Sequence, residues 1–489
     1  MNILIILLVL FFLILLWMLV RTLRLKKMPP EVSAVEKPQI DKERLSTHLS
    51  EAIQIKTVSK MEMSDEDREP FLEMHTWIEK TYPFISKSLE RTIINNYSLL
   101  YKWGGTDSRL KPVLLNAHMD VVPVDEKTRS DWRVDPFGGE RRDGYIWGRG
   151  ALDMKGILVA LLESTEMLLK DGYQPKRSIY LTFGHDEEIS GFQGSLKIME
   201  YLKSKGVKLA AVLDEGGMLT SGLVTDPNNA VAMIGIAEKG YLSMKLTAEG
   251  KPGHSSRPPR QTAIGIISRA VALMDDHPMP ACLTHILPTL KKIGYLLPFS
   301  KQFAIANAGI LKPLLIKELE KQTETNALIR TTHAATMVNG GMKDNVLPAS
   351  ASAVINLRLL PGDSIDGVFS YFAKVINDPR VKLEMASQIS GWEASRVSAT
   401  DDPAYLTLEL VVRQIFDNVP VAPFLFMAAT DSRHYQPICE NIYKFSPYRI
   451  TPEEHAGVHG VNERISQEAL SEMTTFYSRL MQVWGNAEF

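Results

Sequence analysis

Strand after strand in this chain runs out into acids. Residues 177–183, RSIYLTF, alternate and carry β-branched and aromatic side chains, so they read as a strand. The chain then passes directly into Asp186, Glu187 and Glu188. Residues 112–118, PVLLNAH, form an apolar run that leads into His118-Met119-Asp120. KLAAVLDEG, 208–216, carries Asp214 near its end. Between these strands, apolar residues recur at helical spacing over 154–171. Asp153 stands at the N-cap position and Gly172 at the stop. A further helix is expected near 193–205. Strands alternating with helices predict an α/β domain with a mixed, mostly parallel sheet and helices on both faces. Such sheets bind ligands beyond the carboxyl ends of their strands, which is where these acids gather.

Near the C-terminus, EEHAGVHGVNERI adds His455 and His459. Each residue alone has an ordinary explanation: Asp153 as a helix cap, His118 as a core histidine, Glu188 as a surface charge. Together they do not, because that many acids at one sheet edge would repel one another and protonate. Divalent cations are the natural compensation. Imidazole and carboxylate donors without thiolate suit Zn²⁺, with Mn²⁺ or Co²⁺ as alternatives. Two ions about 3.5 Å apart can clamp a water and a carbonyl oxygen together. Asp153 is the candidate bridge, and Asp120 can receive the second ring N–H of His118. Successive side chains at a strand end alternate in direction. One of the adjacent glutamates is therefore expected on metal, and the other free as a general base.

The 489 residues allow more than one domain. Strands near 241–249, 331–339, 350–360 and 381–387, with helices near 261–276 and 364–377, give the order βαββαβ of a ferredoxin-like unit. The expected division is a catalytic domain over 41–241 and 393–489, with an inserted α+β lid over 242–392. Within the insert, 283–327 is surplus, with apolar residues interleaved by lysines and prolines. It reads as extra helices packed on the small domain, or as a lipophilic or membrane-interface surface. Residues 28–40 read as a linker. Ile3–Val20 is an 18-residue run without charge, followed by Arg21, Arg24, Lys26 and Lys27. Its length and basic flank fit an uncleaved anchor within 1–27, in contact with a membrane through residues 3–20, better than a cleaved signal. By the positive-inside rule the body after that flank would stay in the cytosol. A net charge of −2 gives no sign of a nucleic-acid partner. Two cysteines, Cys282 and Cys439, exclude a disulfide framework.

NAHMDVVPV, WGRGALDMKG, GHDEEISG, VLDEGG, GHSSRPP, DNVLPASASAVINLRLLPGD, TDSRHY and HGVNERI follow one another from 116 to 465. In that order they resemble the co-catalytic zinc family of aminoacylase, glutamate carboxypeptidase, succinyl-diaminopimelate desuccinylase and carboxypeptidase S. The details resemble the N-fatty-acyl-amino acid synthase/hydrolase branch more than a digestive carboxypeptidase. The resemblance implies His118 and Asp214 on one zinc, Glu188 and His459 on the other, Asp153 bridging and Asp120 orienting His118. It implies Glu187 as acid/base, a cis peptide after Asp153, and a secretory-pathway protein, anchored or secreted. It also implies that His254 approaches the reacting carbonyl oxygen, that Asn345 and Arg358 lie near substrate, and that homodimers can form through the lid. Arg433 is a plausible clamp for a substrate carboxylate. The expected reaction is hydrolysis, or reversible formation, of the amide of N-acyl and especially N-fatty-acyl amino acids. The alternatives are a carboxypeptidase or dipeptidase for small peptides and a non-catalytic tethered binding protein.

Overall fold

The computed structural model describes residues 2–25, 29–221, 230–387 and 391–487. Lys26 and Lys27 of the basic flank lie outside the described residues. The large sheet places four parallel neighbours at its centre: Ile179–Gly184, Val113–His118, Ala211–Asp214 and Ile442–Lys444. Their side chains alternate between two hydrophobic cores. Val113, Leu115 and Ala117 face one, with Ile179, Leu181, Phe183, Ala211 and Leu213. Leu114, Tyr180 and Val212 face the other. The first core is closed by the helices Lys42–Gln54, Lys155–Lys170, Pro403–Ile415 and Gln467–Asn486, the second by Ser195–Ser204. Burying one such large apolar side chain contributes about 1.5–3 kcal/mol. The hairpin Glu90–Ile94/Ser98–Trp103 joins one edge antiparallel. Ala230–Glu238 and Val421–Phe426, parallel to each other, complete the other side.

The second sheet has the order Thr332–Gly340, Ser350–Leu359, Gly240–Glu249, Val381–Met385, all antiparallel. Gly240–Glu249 pairs with Ser350–Leu359 from Gly240↔Leu359 to Glu249↔Ser350. Alternate residues of these two strands are buried against Ala263–Asp276 and Ile365–Ile376. This is the ferredoxin-like order.

Residues 283–327 form helices that include Leu287–Ile293, Phe299–Ala306 and Ala308–Leu319. They do not rest on the small domain's core, as expected, but on the far edge of the large sheet. Leu290, Leu297, Ile305 and Leu315 pack with Ala237 and Leu425. Ile293 packs with Val231, Met233 and Ala422. Thr289 Oγ1 donates to the Pro423 carbonyl at 2.6 Å. The reason is that Ala230–Glu238 and Val421–Phe426 carry apolar residues on both faces, so the edge needs a cover. The N-terminal helix, Asn2–Leu23, projects its apolar residues outward and touches the body only through its last turns.

Candidate functional site

His118 ends its strand with a fully buried side chain, and Asp120 follows, also fully buried. The His118 Nδ1–H donates to the backbone carbonyl of Asp120 at 2.9 Å, with the Asp120 carboxylate 3.4 Å away. That contact fixes the ring and turns Nε2 toward the acids. The same carboxylate accepts the backbone N–H groups of Glu187 and Glu188, each at 3.1 Å, and the Ser59 hydroxyl at 2.7 Å. Asp120 therefore sets the histidine and both glutamates together.

Glu187 and Glu188 open a 3₁₀ turn, Glu187–Ile189, rather than extending the strand. Strand alternation is thus not what separates them; the turn rotates one carboxylate away from the other. Asp153 sits between the histidines. One oxygen is 3.1 Å from His118 Nε2, and the other is 3.1 Å from His459 Nε2. His459 Nε2 is also 3.2 Å from Glu188 Oε2. Asp153 does not cap the following helix, which starts at Lys155 with Met154 at the cap position and no side-chain cap. Its carboxylate is committed to the histidines instead. The Asp153–Met154 peptide is cis, as expected.

Asp214 ends the strand Ala211–Asp214 with its carboxylate buried. Its oxygens accept from Asn116 Nδ2 at 2.9 Å and from the Ser432 N–H at 2.8 Å. Glu215, one residue on, places Oε1 3.5 Å from His118 Nε2. His118, Glu187 and Glu215 offer ligand atoms within 4.8 Å of one another, and so do His118, Asp153 and Glu188.

The electrostatics fit a cation site. Burial pushes Glu187 well above the carboxylate range; the His118 charge opposes this, and Glu215, Asp431 and Glu188 add to it. Burial, then Asp153, raises Glu215 to about 8. Burial raises Glu188 against its bond from His459. Burial also disfavours charge on Asp153, but hydrogen bonds from His118 and His459 prevail and hold it low. Hydrogen bonds to Asp153 and Glu188 raise His459 to about 10. Glu188 Oε1 is buried with no hydrogen-bond partner among the described residues. Protons thus collect where cations would otherwise balance the acids, and the oxygen and nitrogen donors present are those that hold zinc-like ions.

A residue that the sequence reading passed over binds the two halves of the site. Glu463, in HGVNERI, is fully buried and accepts the backbone N–H groups of Gly150, Leu152 and Asp153 at 3.0, 2.8 and 3.1 Å. It also pairs with Arg149 at 2.6 Å. The loop carrying His459 thereby holds the loop carrying Asp153.

The expected substrate residues separate into three groups. His254 and Asn345 come together in the lid, where His254 pairs with Val346 and the Ser255 N–H donates to the Asn345 carbonyl. His254 is exposed, and among the described residues no hydrogen bond joins it to the acid cluster. Arg433 grips the turn that follows the two glutamates. Its two terminal nitrogens donate to the carbonyls of Thr430 at 2.8 Å and Ser190 at 2.5 Å. The turn it grips requires Gly191, at φ +66°, where a Cβ would lie 1.8 Å from Asp431 Oδ1. Arg358 lies over the Tyr241 ring at 5.0 Å and has no hydrogen bond or ion pair to protein among the described residues. His455 stands in the short helix Pro452–His455, outside the cluster.

The family model for peptidase family M20/M25/M40 matches residues 114–483. The chain belongs to that family. It is 39% identical over 447 residues to the zebrafish (Danio rerio) N-fatty-acyl-amino acid synthase/hydrolase PM20D1.1, covering 90% of this chain and 86% of that one. It is 36% identical over 479 residues to the probable carboxypeptidase S-like 2 of Dictyostelium discoideum, covering 96% and 92%. The M20 family metallo-carboxypeptidase Sso-CP2 of Sulfolobus solfataricus shares the fold, with a TM-score of 0.65 at 17% identity, covering 91% of this chain and 99% of that one. The M20/M25/M40 chain is thus an enzyme of a metal-dependent hydrolase family. Glu463→Gln should lower metal affinity about 10–100-fold while the protein still folds. Equilibrium dialysis against a metal buffer measures this, and unchanged affinity would remove Glu463 from the site's support.

Proposed function

We propose that this enzyme hydrolyses, and can re-form, the amide of N-acyl amino acids, with long fatty acyl chains as its main substrates. The observation that carries the reading is the Asp153 carboxylate shared between His118 and His459, with Glu215 and Glu188 beside the two histidines. In this reading His118, Asp153 and one acid of the Asp214–Glu215 pair would hold one ion, and Asp153, Glu188 and His459 would hold the other. Zinc is the proposed metal, and manganese or cobalt also suits the donors. Bound there, the pair supplies Lewis-acid polarisation of the scissile carbonyl and activation of water.

Glu187 offers a ligand atom close to those of His118 and Glu215, and in this reading it stays off the ions as the proton carrier. It takes the proton from the attacking water and delivers it to the departing amine nitrogen. The water oxygen adds to the carbonyl carbon, and the C–N bond of the tetrahedral adduct then breaks as the nitrogen takes the proton, leaving a carboxylic acid and a free amino acid. In reverse the same glutamate removes a proton from the incoming ammonium group. Asp120 keeps Glu187 in place through its backbone N–H.

Arg358 is the proposed contact for the substrate carboxylate, since its donors are not spent on protein. His254 and Asn345 would reach the substrate from the lid, and His254 would steady the developing oxyanion. The lid's end strand, Thr332–Gly340, leaves an edge open with Met337 and Val338 exposed, which supports a homodimer through that domain. Ile3–Leu23 is long and apolar enough to cross a membrane, which supports an anchored protein of the secretory pathway.

The carboxypeptidase S-like relative favours a second reading, hydrolysis of small peptides. Both substrate classes place an amide beside a free carboxylate. A comparison of kcat/KM for N-oleoyl-phenylalanine and a dipeptide series separates them. The acyl-amino acid should exceed every dipeptide; a dipeptide turned over faster would make the enzyme a peptidase. Arg358→Met should raise KM for the free acid about 10–100-fold through loss of charge-assisted hydrogen bonds, and change a methyl-ester substrate little. Equal effects on acid and ester would contradict its assignment.

A further inference from the structure

The surplus helices of the insert meet the N-terminal helix at one point. Asn307, between Phe299–Ala306 and Ala308–Leu319, is fully buried. Its Nδ2 donates to the Met18 carbonyl at 3.2 Å, Thr22 Oγ1 at 3.3 Å and the Phe303 carbonyl at 2.8 Å. Met18 and Thr22 are the buried residues of this helix end, with Leu15 and Leu19 partly buried beside them. Leu25 seats over Gly294, where a Cβ would stand 2.5 Å from Leu25 Cδ2. The end of the apolar helix is therefore built into the body.

This junction fixes a depth. The apolar run Ile3–Val20 has 18 residues, about 27 Å of helix, close to the thickness of a bilayer's hydrocarbon. Met18 lies two residues, about 3 Å, inside its end. A side chain hydrogen-bonded to the Met18 carbonyl stands at that same level. The helices flanking Asn307 then cannot stand clear of the membrane that holds the run. Their exposed residues agree. Phe299, Ile310 and Leu314 are 53, 52 and 59% exposed. Ile310 and Leu314 lie on either side of the kink at Leu311, both exposed. Lys301, Lys312 and Lys317 are exposed on the same helices, with Glu318 beside them paired to Lys321; Lys291 is exposed on Leu287–Ile293, and Arg21 and Arg24 on the end of the anchor. Apolar side chains beside long basic ones are the composition of a helix lying in the headgroup layer.

We infer that the face formed by Phe299, Ile310 and Leu314 is seated in the interface of a lipid bilayer beside the anchor, so that the body rests on the membrane. This rests on residues 3–20 lying in a bilayer, as read above. The occupant of the face is lipid, because the face is continuous with the apolar helix joined to it at Asn307.

Nitroxides at Phe299→Cys, Ile310→Cys and Leu314→Cys test it, in full-length protein carrying Cys282→Ser. The protein is reconstituted in vesicles of phosphatidylcholine and phosphatidylserine. Leu8→Cys reports on the anchor, and Leu406→Cys, at an apolar residue 51% exposed elsewhere on the body, serves as the aqueous control. The expected result is several-fold less collision with a water-soluble nickel chelate, and more with oxygen, at 299, 310 and 314 than at 406. A label at 8 in lipid with 299, 310 and 314 as open to the chelate as 406 overturns the inference and leaves the anchor standing. Labels shielded from both reagents would mean a protein cover and also overturn it. A label at 8 open to the chelate removes the anchor and the inference together.

Discussion

Four carboxylates and two imidazoles are brought to one sheet edge, and the structure is arranged around the electrostatic cost of that convergence. Asp153, Glu187, Glu188 and Glu215 repel one another in a site from which much of the water is excluded. Without cations they can stay together only by taking up protons. The fold meets the repulsion with two rigid brackets. Asp120 collects the N–H groups of Glu187 and Glu188 and fixes His118. Glu463 collects three N–H groups of the loop that leads to Asp153. Both brackets are themselves buried acids, each satisfied by several donors, so they add geometry without adding unpaired charge. A preformed site of this kind keeps its shape while metal binding is what balances it.

The lid is tied to this arrangement by a stack of rings and guanidinium groups. Arg358 lies over Tyr241, Tyr241 stacks on Trp392 at 4.8 Å, and Arg433 lies over the other ring of that pair at 4.8 Å. Tyr241, Trp392 and Arg358 belong to the lid sheet. Arg433 belongs to the large domain and holds the Ser190 carbonyl, directly after the glutamate turn. The lid is thus joined to the turn that flanks Glu187 and Glu188. Arg433 therefore touches both the turn after the glutamates and the lid's Trp392.

Much of this was legible from the sequence because strand periodicity and strand ends are strong signals. His118, Asp153, Glu188 and His459 each stand at the end of an element or beside a glycine-rich turn, and they converge. The choice between Asp214 and Glu215 was not legible. Both are acids at one strand end, and only the structure shows that Asp214 accepts from Asn116 and Ser432 while Glu215 approaches His118 Nε2. The N-cap signal at Asp153 was real in pattern, but the histidines outcompete the helix for that carboxylate. The support given by Glu463 was present in the G-x-N-E spacing without any sign of its partners, which lie more than 300 residues away in sequence. The strand Ala230–Glu238 lacks alternation because both its faces are covered, one of them by the surplus helices that composition alone assigned to the lid.

The most direct test of the account is the metal content and turnover of the wild-type chain and of Glu187→Gln, measured on the same preparations. The account expects two divalent ions per chain in both, bound by the five side chains that exclude Glu187. It expects hydrolysis of an N-acyl amino acid to fall about 10²–10⁴-fold in the variant alone. A variant that keeps its turnover, or a wild-type chain fully active with its divalent ions removed, would contradict it.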